Sequence, residues 1–156
     1  MIHSRRTVLQ TGAGTGLYAA LMALGLLPAG SASASEFDRA AFESKGIAET
    51  LKALGAADAT ESGDVVITSP DIAENGAVVP VGVRSSLPKT DMLALLVEQN
   101  PNALAGSYEL LEGAAPDVNM RIKMGQSSDV VAVARADGKY YMARKEIKVT
   151  LGGCGG

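Results

Sequence analysis

The chain has 156 residues, of which 47% are hydrophobic and 20% are charged, and its formal net charge is −3 at pH 7. This length is typical of one globular domain with a hydrophobic core. The acidic balance and the lack of a dense Lys/Arg run argue against nucleic acid and anionic membranes as partners, and a single cysteine excludes an internal disulfide.

The first 34 residues have the pattern of an export signal. Arg5 and Arg6 form a pair followed by an apolar position, as in the bacterial twin-arginine address. The apolar stretch 17–27 is shorter than the roughly 20 residues that a membrane-spanning helix needs. Small residues favour cleavage after Ala34. We therefore expect twin-arginine export to the periplasm and no membrane contact of the mature form; an uncleaved anchor is the alternative.

Removal of the signal changes the chemistry that the chain can offer. It takes away His3, the only histidine, and leaves 122 residues with 12 basic and 17 acidic side chains, a formal charge of −5. Without histidine, a Ser–His or Cys–His nucleophile pair is excluded, as are imidazole-bound zinc and haem. The sequence therefore predicts a protein without cofactor or metal that is not an enzyme.

The mature chain begins with a helical pattern. Apolar residues recur at three- and four-residue steps over residues 37–54, with charged residues between them. Gly46 weakens the middle of this stretch, and Gly55 is a plausible end. One or two short helices are therefore predicted.

Short β-type runs follow beyond Ser62. Residues 92–97 are apolar on both alternating sets, which predicts a strand buried on two sides. Asp137-Gly138 predicts a type I′ hairpin, and Pro80 predicts an edge strand or a bulge. The predicted strands are 65–68, 77–83, 92–97, 119–124, 129–136 and 139–149.

These runs predict a mainly β domain over residues 35–151. Their number and spacing, with Gly, Pro and Asn between them, favour an immunoglobulin-like antiparallel β-sandwich preceded by one or two N-terminal helices. The body has neither tryptophan nor a cysteine pair, so the assignment depends on strand number and spacing alone.

Two groups of charged residues are candidates for surface roles. The carboxylate pairs Asp71 with Glu74 and Glu109 with Glu112 are interpreted as solvated surface rather than as acid–base sites. The cations near the last predicted strand are interpreted as an exposed face, with the alternative that they steer anions or an acidic partner toward the C-terminus; they are Arg144, Lys145 and Lys148.

The chain ends in the motif Gly152-Gly153-Cys154-Gly155-Gly156, which contains its only cysteine. Glycine restricts the backbone least of all residues and offers nothing to pack against. The motif therefore predicts a flexible arm, residues 152–156, that presents a thiol to clefts on other proteins. An unperturbed thiol has a pKa of about 8.5, so we expect Cys154 to become reactive only inside a partner's active site.

Other interpretations of the single cysteine remain open. Cys154 is incidental in a disordered tail, or it tethers a secreted structural β-sandwich module to another chain by an intermolecular disulfide. A thiol enzyme that acts alone is the third alternative, and the missing base argues against it.

The sequence resembles the SoxY family, the sulfur-carrying subunits of the periplasmic thiosulfate-oxidising (Sox) system. The resemblance rests on the terminal motif, the twin-arginine leader and the stretch Pro70–Val81, with the sequence PDIAENGAVVPV. It covers essentially the whole mature chain, and the terminal motif is its most specific part.

The resemblance implies an immunoglobulin-like sandwich that forms a heterodimer with SoxZ, a cysteine-free subunit of similar fold. It also implies that substrates are attached to Cys154. The c-type cytochrome SoxXA would conjugate thiosulfate to this thiol, the manganese hydrolase SoxB would release sulfate, and a sulfur dehydrogenase would oxidise the remaining sulfane sulfur. The chain itself would be a non-enzymatic carrier of thiosulfate-derived sulfur.

Overall fold

The computed structural model describes residues 39–150, which form two helices and nine strands. The predicted signal, residues 1–34, and the predicted arm, residues 152–156, lie outside the described residues. The elements are α1 (Arg39–Glu43), α2 (Gly46–Ala53), β1 (Thr60–Glu61), β2 (Val65–Thr68), β3 (Ile72–Ala73), β4 (Val79–Ser85), β5 (Thr90–Val97), β6 (Leu104–Glu109), β7 (Asp117–Ile122), β8 (Ser128–Ala136) and β9 (Lys139–Val149).

The strands form a large and a small sheet. The six-stranded sheet has the order β1-β9-β8-β5-β6, with β3 also paired to β9, and the three-stranded sheet has the order β2-β4-β7. The small sheet packs on one face of the large sheet, and the two helices pack on the other. The predicted mainly β sandwich preceded by helices is confirmed.

The helical stretch is divided where the sequence predicted a weakness. Gly46, at the start of α2, has a φ of +75°, and Gly55, just after α2, has a φ of +74°. Both values lie in the left-handed region that glycine adopts at low cost. Two short helices therefore form in place of one long one.

Strand β5 separates two hydrophobic cores. Leu93, Leu95 and Val97 pack into the core between the sheets. Met92 and Leu96 pack into the core beneath the helices. All of them are almost fully buried, so the predicted two-sided burial of this strand is confirmed.

The hairpin between β8 and β9 has its turn at Asp137-Gly138, as predicted. The two residues have φ values of 51° and 75°, as a type I′ turn requires. The register that follows pairs Ala136 with Lys139. This turn fixes where β9, the longest strand, begins.

The prediction that Pro80 marks an edge strand or a bulge was wrong, because its strand is central in the small sheet. Pro80 lies in β4, the central strand of the small sheet, and pairs with Arg121 of β7. Strand β2 ends at Thr68, opposite Gly82, so β4 has no β2 partner at Pro80. A proline there does not interrupt the β2–β4 ladder, because that ladder has already ended.

Candidate functional site

The predicted attachment residue, Cys154, and the four glycines around it lie outside the described residues. The structure describes the chain up to Thr150, four residues before the thiol. Four residue steps span at most about 14 Å at roughly 3.5 Å per residue. The last described residues therefore mark the point from which the sequence continues to Cys154.

Strand β9 is hydrogen-bonded on both sides near its C-terminal end. On one side it pairs with β8 up to Ile147, opposite Ser128. On the other side it runs parallel to β3, and the backbone N–H of Lys148 donates to Asp71 O at 2.9 Å. The side chain of Ile147 is fully buried in the core between the sheets. Backbone pairing and apolar packing together hold this part of the strand.

The pairing continues to the last described residue. The backbone N–H of Thr150 donates to Ala73 O at 3.0 Å, and Thr150 Oγ1 donates to Glu74 O at 3.0 Å. The backbone N–H of Val149 donates to Ser127 Oγ at 2.9 Å. Residues 147–150, the arm base, are thus fixed by partners from two distant parts of the chain.

The stretch Pro70–Val81, which supports the family resemblance, holds the arm base. It contains β3, and its buried residue Ala73 packs into the core between the sheets. Asn75 Oδ1 accepts a hydrogen bond from the backbone N–H of Ala77 at 2.8 Å, and Gly76 O accepts one from Met124 at 2.7 Å. A turn from Asn75 to Val78 thus carries the chain from β3 to β4.

Two of the three cations near the end of β9 are in ion pairs. Arg144 Nη1 lies 3.2 Å from the carboxylate of Asp129 and 3.5 Å from that of Glu98. Lys145 Nζ lies 3.0 Å from Asp71 Oδ1 and donates to Ser69 O at 2.8 Å. These contacts give both side chains a structural role.

Lys148 is the third cation, and within residues 39–150 it has no ion pair. Its side chain lies on the exposed part of β9. Of the three cations considered from the sequence, Lys148 alone keeps its charge available for steering anions within the described part of the chain.

One carboxylate of each pair considered from the sequence forms an ion pair. Asp71 pairs with Lys145, and Glu109 lies 2.7 Å from Arg135 Nη2. Arg135 Nε also donates to Asp91 at 2.7 Å. This hydrogen bond is the main cause that raises the pKa of Arg135 above its ordinary value, so the guanidinium stays cationic. The interpretation of these carboxylates as surface groups agrees with the contacts.

A feature that sequence reasoning missed is a recess of about 460 Å³ on the exposed face of the small sheet. We call it the outer recess; its lining includes Ser69, Pro80, Gly82, Asn119 and Arg121. The alternation of Arg121 and Lys123 with apolar residues was visible in the sequence. Only the strand register places Arg121 beside Pro80 and Asn119 beside Gly82.

Residues 39–150 contain no cluster of three or more His, Cys, Asp or Glu side chains that could hold a metal ion. In the same range, none of the helices is long and apolar enough to span a membrane.

Comparison with known proteins identifies relatives. The family model described as "Sulfur oxidation protein SoxY" matches residues 51–154. The chain is 33% identical to the sulfur carrier protein SoxY from Chlorobium limicola f thiosulfatophilum, with a TM-score of 0.62 over 70% of this chain and 96% of that one. No curated protein matches the chain.

A second solved structure shares only the fold. A variant of superoxide reductase (neelaredoxin) from Ignicoccus hospitalis is 22% identical, with a TM-score of 0.51 over 57% of this chain and 82% of that one. At this identity the similarity concerns the β-sandwich and not its chemistry.

Proposed function

The chain belongs to the SoxY family of sulfur oxidation proteins, and on this basis we propose that it is a non-enzymatic covalent carrier whose substrate is attached to Cys154. The observation that carries the proposal is where the family match ends. It spans residues 51–154 and so extends to the only cysteine of the chain. The anchored arm base supports it, because a carrier arm needs a fixed origin.

The proposed loading step is an oxidative conjugation. The Cys154 thiolate forms an S–S bond with the sulfane sulfur of thiosulfate, which gives a cysteine S-thiosulfonate. Two electrons leave in this step, and a c-type cytochrome such as SoxXA accepts them. The carrier supplies the sulfur nucleophile and the cytochrome supplies the oxidant.

The proposed unloading step is hydrolytic. A hydrolase such as SoxB adds water to the terminal sulfonate, which releases sulfate and two protons and leaves a persulfide on Cys154. A sulfur dehydrogenase then oxidises the remaining sulfane sulfur. In each step the arm glycines, Gly152, Gly153, Gly155 and Gly156, let the thiol enter a narrow cleft because they add no side chain to it.

We also propose a heterodimer with a SoxZ-like subunit. Two large apolar side chains of the Pro70–Val81 stretch are exposed: Ile72 by 58% and Val78 by 53%. Exposed large apolar side chains are favourable contacts for a partner. Ile72 pairs with Lys148 of the arm base, so a partner bound at Ile72 would lie near that segment.

The proposed compartment is the periplasm. The twin-arginine pair Arg5-Arg6 and the small residues before position 35 support export by the twin-arginine route with cleavage after Ala34. N-terminal sequencing of the mature protein from the periplasmic fraction tests both the route and the cleavage site.

The carrier function is tested by mass spectrometry of protein isolated from cells that oxidise thiosulfate. We expect sulfur-containing adducts on Cys154 that dithiothreitol removes. Cys154→Ser should abolish thiosulfate oxidation by the reconstituted system and leave the thermal unfolding curve unchanged. A bare thiol in active cells contradicts the carrier function, and a stoichiometric cross-linked species in non-reducing electrophoresis favours the tether instead.

A further inference from the structure

The outer recess is formed by two rows of the small sheet. One row consists of Thr68, Gly82 and Asn119, which lie side by side on β2, β4 and β7. The next row contains Pro80 and Arg121, beyond the end of β2. The recess therefore opens where the sheet narrows from three strands to two.

Gly82 keeps the floor of the recess open. A Cβ built at this position would lie 2.7 Å from Asn119 Oδ1 and 3.5 Å from Thr68 Cβ. The first distance is shorter than atoms in van der Waals contact allow. Any larger residue would displace the Asn119 amide and fill the floor, so the space depends on this glycine.

Arg121 supplies a positive charge that residues 39–150 do not neutralise. It has no ion pair in that range, whereas Arg84 of the same exposed face lies 3.5 Å from Asp117. A guanidinium has five N–H donors arranged to bind oxyanions in a bidentate manner. The charge at the recess is therefore available to a ligand.

Two further polar groups line the same recess. Ser69 Oγ is buried, and among the buried side-chain nitrogen and oxygen atoms of residues 39–150 it is the one without a hydrogen-bond partner. Asn119 Nδ2 donates one hydrogen bond, to Asp117 Oδ1 at 3.2 Å, and keeps a second N–H. A buried hydroxyl without a partner costs free energy. An acceptor oxygen in the recess would remove this cost after a rotation of the serine side chain.

The recess wall is hydrogen-bonded to β9 close to the arm base. Ser69 O accepts a hydrogen bond from Lys145, and Asp71 O accepts one from Lys148. Both lysines belong to β9, which leads into the arm base. The recess wall is therefore bonded directly to the strand that leads to Cys154.

We propose that the outer recess binds a sulfur oxyanion, with Arg121 as the charged donor and Asn119 and Ser69 as neutral donors. The oxyanion is either free sulfate or thiosulfate, or the terminal sulfonate of a group carried on Cys154. The choice of a sulfur oxyanion rests on the proposed carrier function, whereas the choice of an anion rests on the unpaired Arg121 and the donors beside it. Bound in the recess, the loaded arm would be held against the body between encounters.

The test uses nuclear magnetic resonance of the mature chain and follows the backbone amides of Gly82, Asn119 and Arg121. In the first experiment, Cys154→Ser is titrated with sulfate and with thiosulfate at constant ionic strength set by chloride. In the second experiment, the wild-type chain is loaded with tetrathionate: the Cys154 thiolate attacks a sulfane sulfur, an S–S bond to the cysteine forms and thiosulfate leaves. Saturable chemical-shift changes in the first experiment show that the recess binds the free anion, and changes in the second show that it binds the group carried on Cys154.

Two variants make the result specific. Arg121→Gln should weaken binding by about tenfold, as expected for the loss of one charge-assisted contact. Lys123→Gln is the matched control, because it removes the same charge two residues away on the same alternating face but outside the recess lining. It should leave the affinity within about twofold, since Lys123 does not line the recess and makes no charge-assisted contact with an anion there.

Two outcomes overturn the proposal: no chemical-shift change in either experiment, or an equal loss of affinity in both variants. Neither outcome bears on the carrier function, because the mass of the adduct on Cys154 is measured separately. Conversely, a bare thiol in active cells removes the carrier function while the titration of Cys154→Ser still reports on the recess.

Discussion

At its start β9 is fixed by a two-residue turn, whereas at its end it is fixed by residues that are distant in sequence. Asp137 and Gly138 set the register of the first end through their own backbone conformation. The arm base is held instead by Ala73, Glu74 and Ser127. One end of the strand is determined locally, and the end that leads to Cys154 depends on the folded body.

The hydrogen bonds of the arm base extend to Thr150 on the β3 side and, through the Ser127 side chain, to Val149 on the β8 side. For the proposed carrier function, Thr150 is the fixed point from which the arm would extend. A loosely held strand end would lengthen the effective arm and increase the ordering entropy lost on docking. In the proposed carrier, these long-range hydrogen bonds would therefore limit the reach of the thiol.

The largest loss in free energy of unfolding is expected for Ile147→Ala, which removes a fully buried side chain from the arm base. Large-to-small substitutions of buried aliphatic residues cost about 2–5 kcal/mol. Urea unfolding followed by circular dichroism should show a lower midpoint with an unchanged slope. Glu146→Ala, at the exposed neighbour in β9, is the control and should stay within about 0.5 kcal/mol. Equal values for the two variants would mean that the arm base does not depend on the core.

The second-largest loss in free energy of unfolding is expected for a substitution at the opposite end of β9. Gly138→Val forces a branched side chain into a residue whose φ is +75°, which costs about 1–2 kcal/mol. The free energy of unfolding should fall by that amount, without a change in the exchange rates of amides at the arm base. Gly63→Ala is a matched control, since Gly63 has no positive φ and open space around it. A loss in Gly63→Ala as large as that in Gly138→Val would contradict the argument from backbone conformation.

Ser127→Ala tests the arm base with a smaller change. It removes the Oγ atom that accepts the N–H of Val149, which should cost about 0.5–1.5 kcal/mol. Hydrogen exchange should accelerate at Val149 and Thr150 but not at Arg144. If exchange accelerates along the whole strand, the two ends of β9 open together and the comparison fails.

Local signals in the sequence predicted the hairpin end and much of the fold. Asp137-Gly138 predicted the turn, and the apolar run 92–97 predicted β5. The weak point at Gly46 left one or two helices open, and two are present. Strands β1, β3 and β6 were missed. Strands β1 and β3 have two residues each and carry no periodicity, and the sequence of β6, LAGSYE, does not alternate apolar with polar residues. The same limit applies to the arm base, since nothing in the local sequence pairs Thr150 with Ala73.

The two candidate sites, Cys154 and the outer recess, also differ in whether the local sequence could predict them. Cys154 was identified by its sequence context alone, and the structure does not describe it. The outer recess depends on which residues of β4 and β7 lie side by side, and the wrong expectation for Pro80 shows that this register was not predictable. Charged residues in alternation indicate an exposed face, but not which of them will lack an ion pair.

The smallest effect is expected for the ion pairs near the end of β9. Arg144 is 40% exposed and lies at 3.2–3.5 Å from two carboxylates, and exposed pairs contribute about 0.2–1 kcal/mol. Arg144→Gln should therefore reduce the free energy of unfolding by less than about 1 kcal/mol, and the difference should shrink at high salt because exposed charges are screened. Urea unfolding at low and high sodium chloride measures both. Arg135→Gln should lose more, since Arg135 is 27% exposed and contacts Asp91 and Glu109 at 2.7 Å each. If Arg144→Gln instead costs more free energy of unfolding than Ser127→Ala, the ion pairs of Arg144 stabilise β9 more than the hydrogen bond from Val149 to Ser127 does.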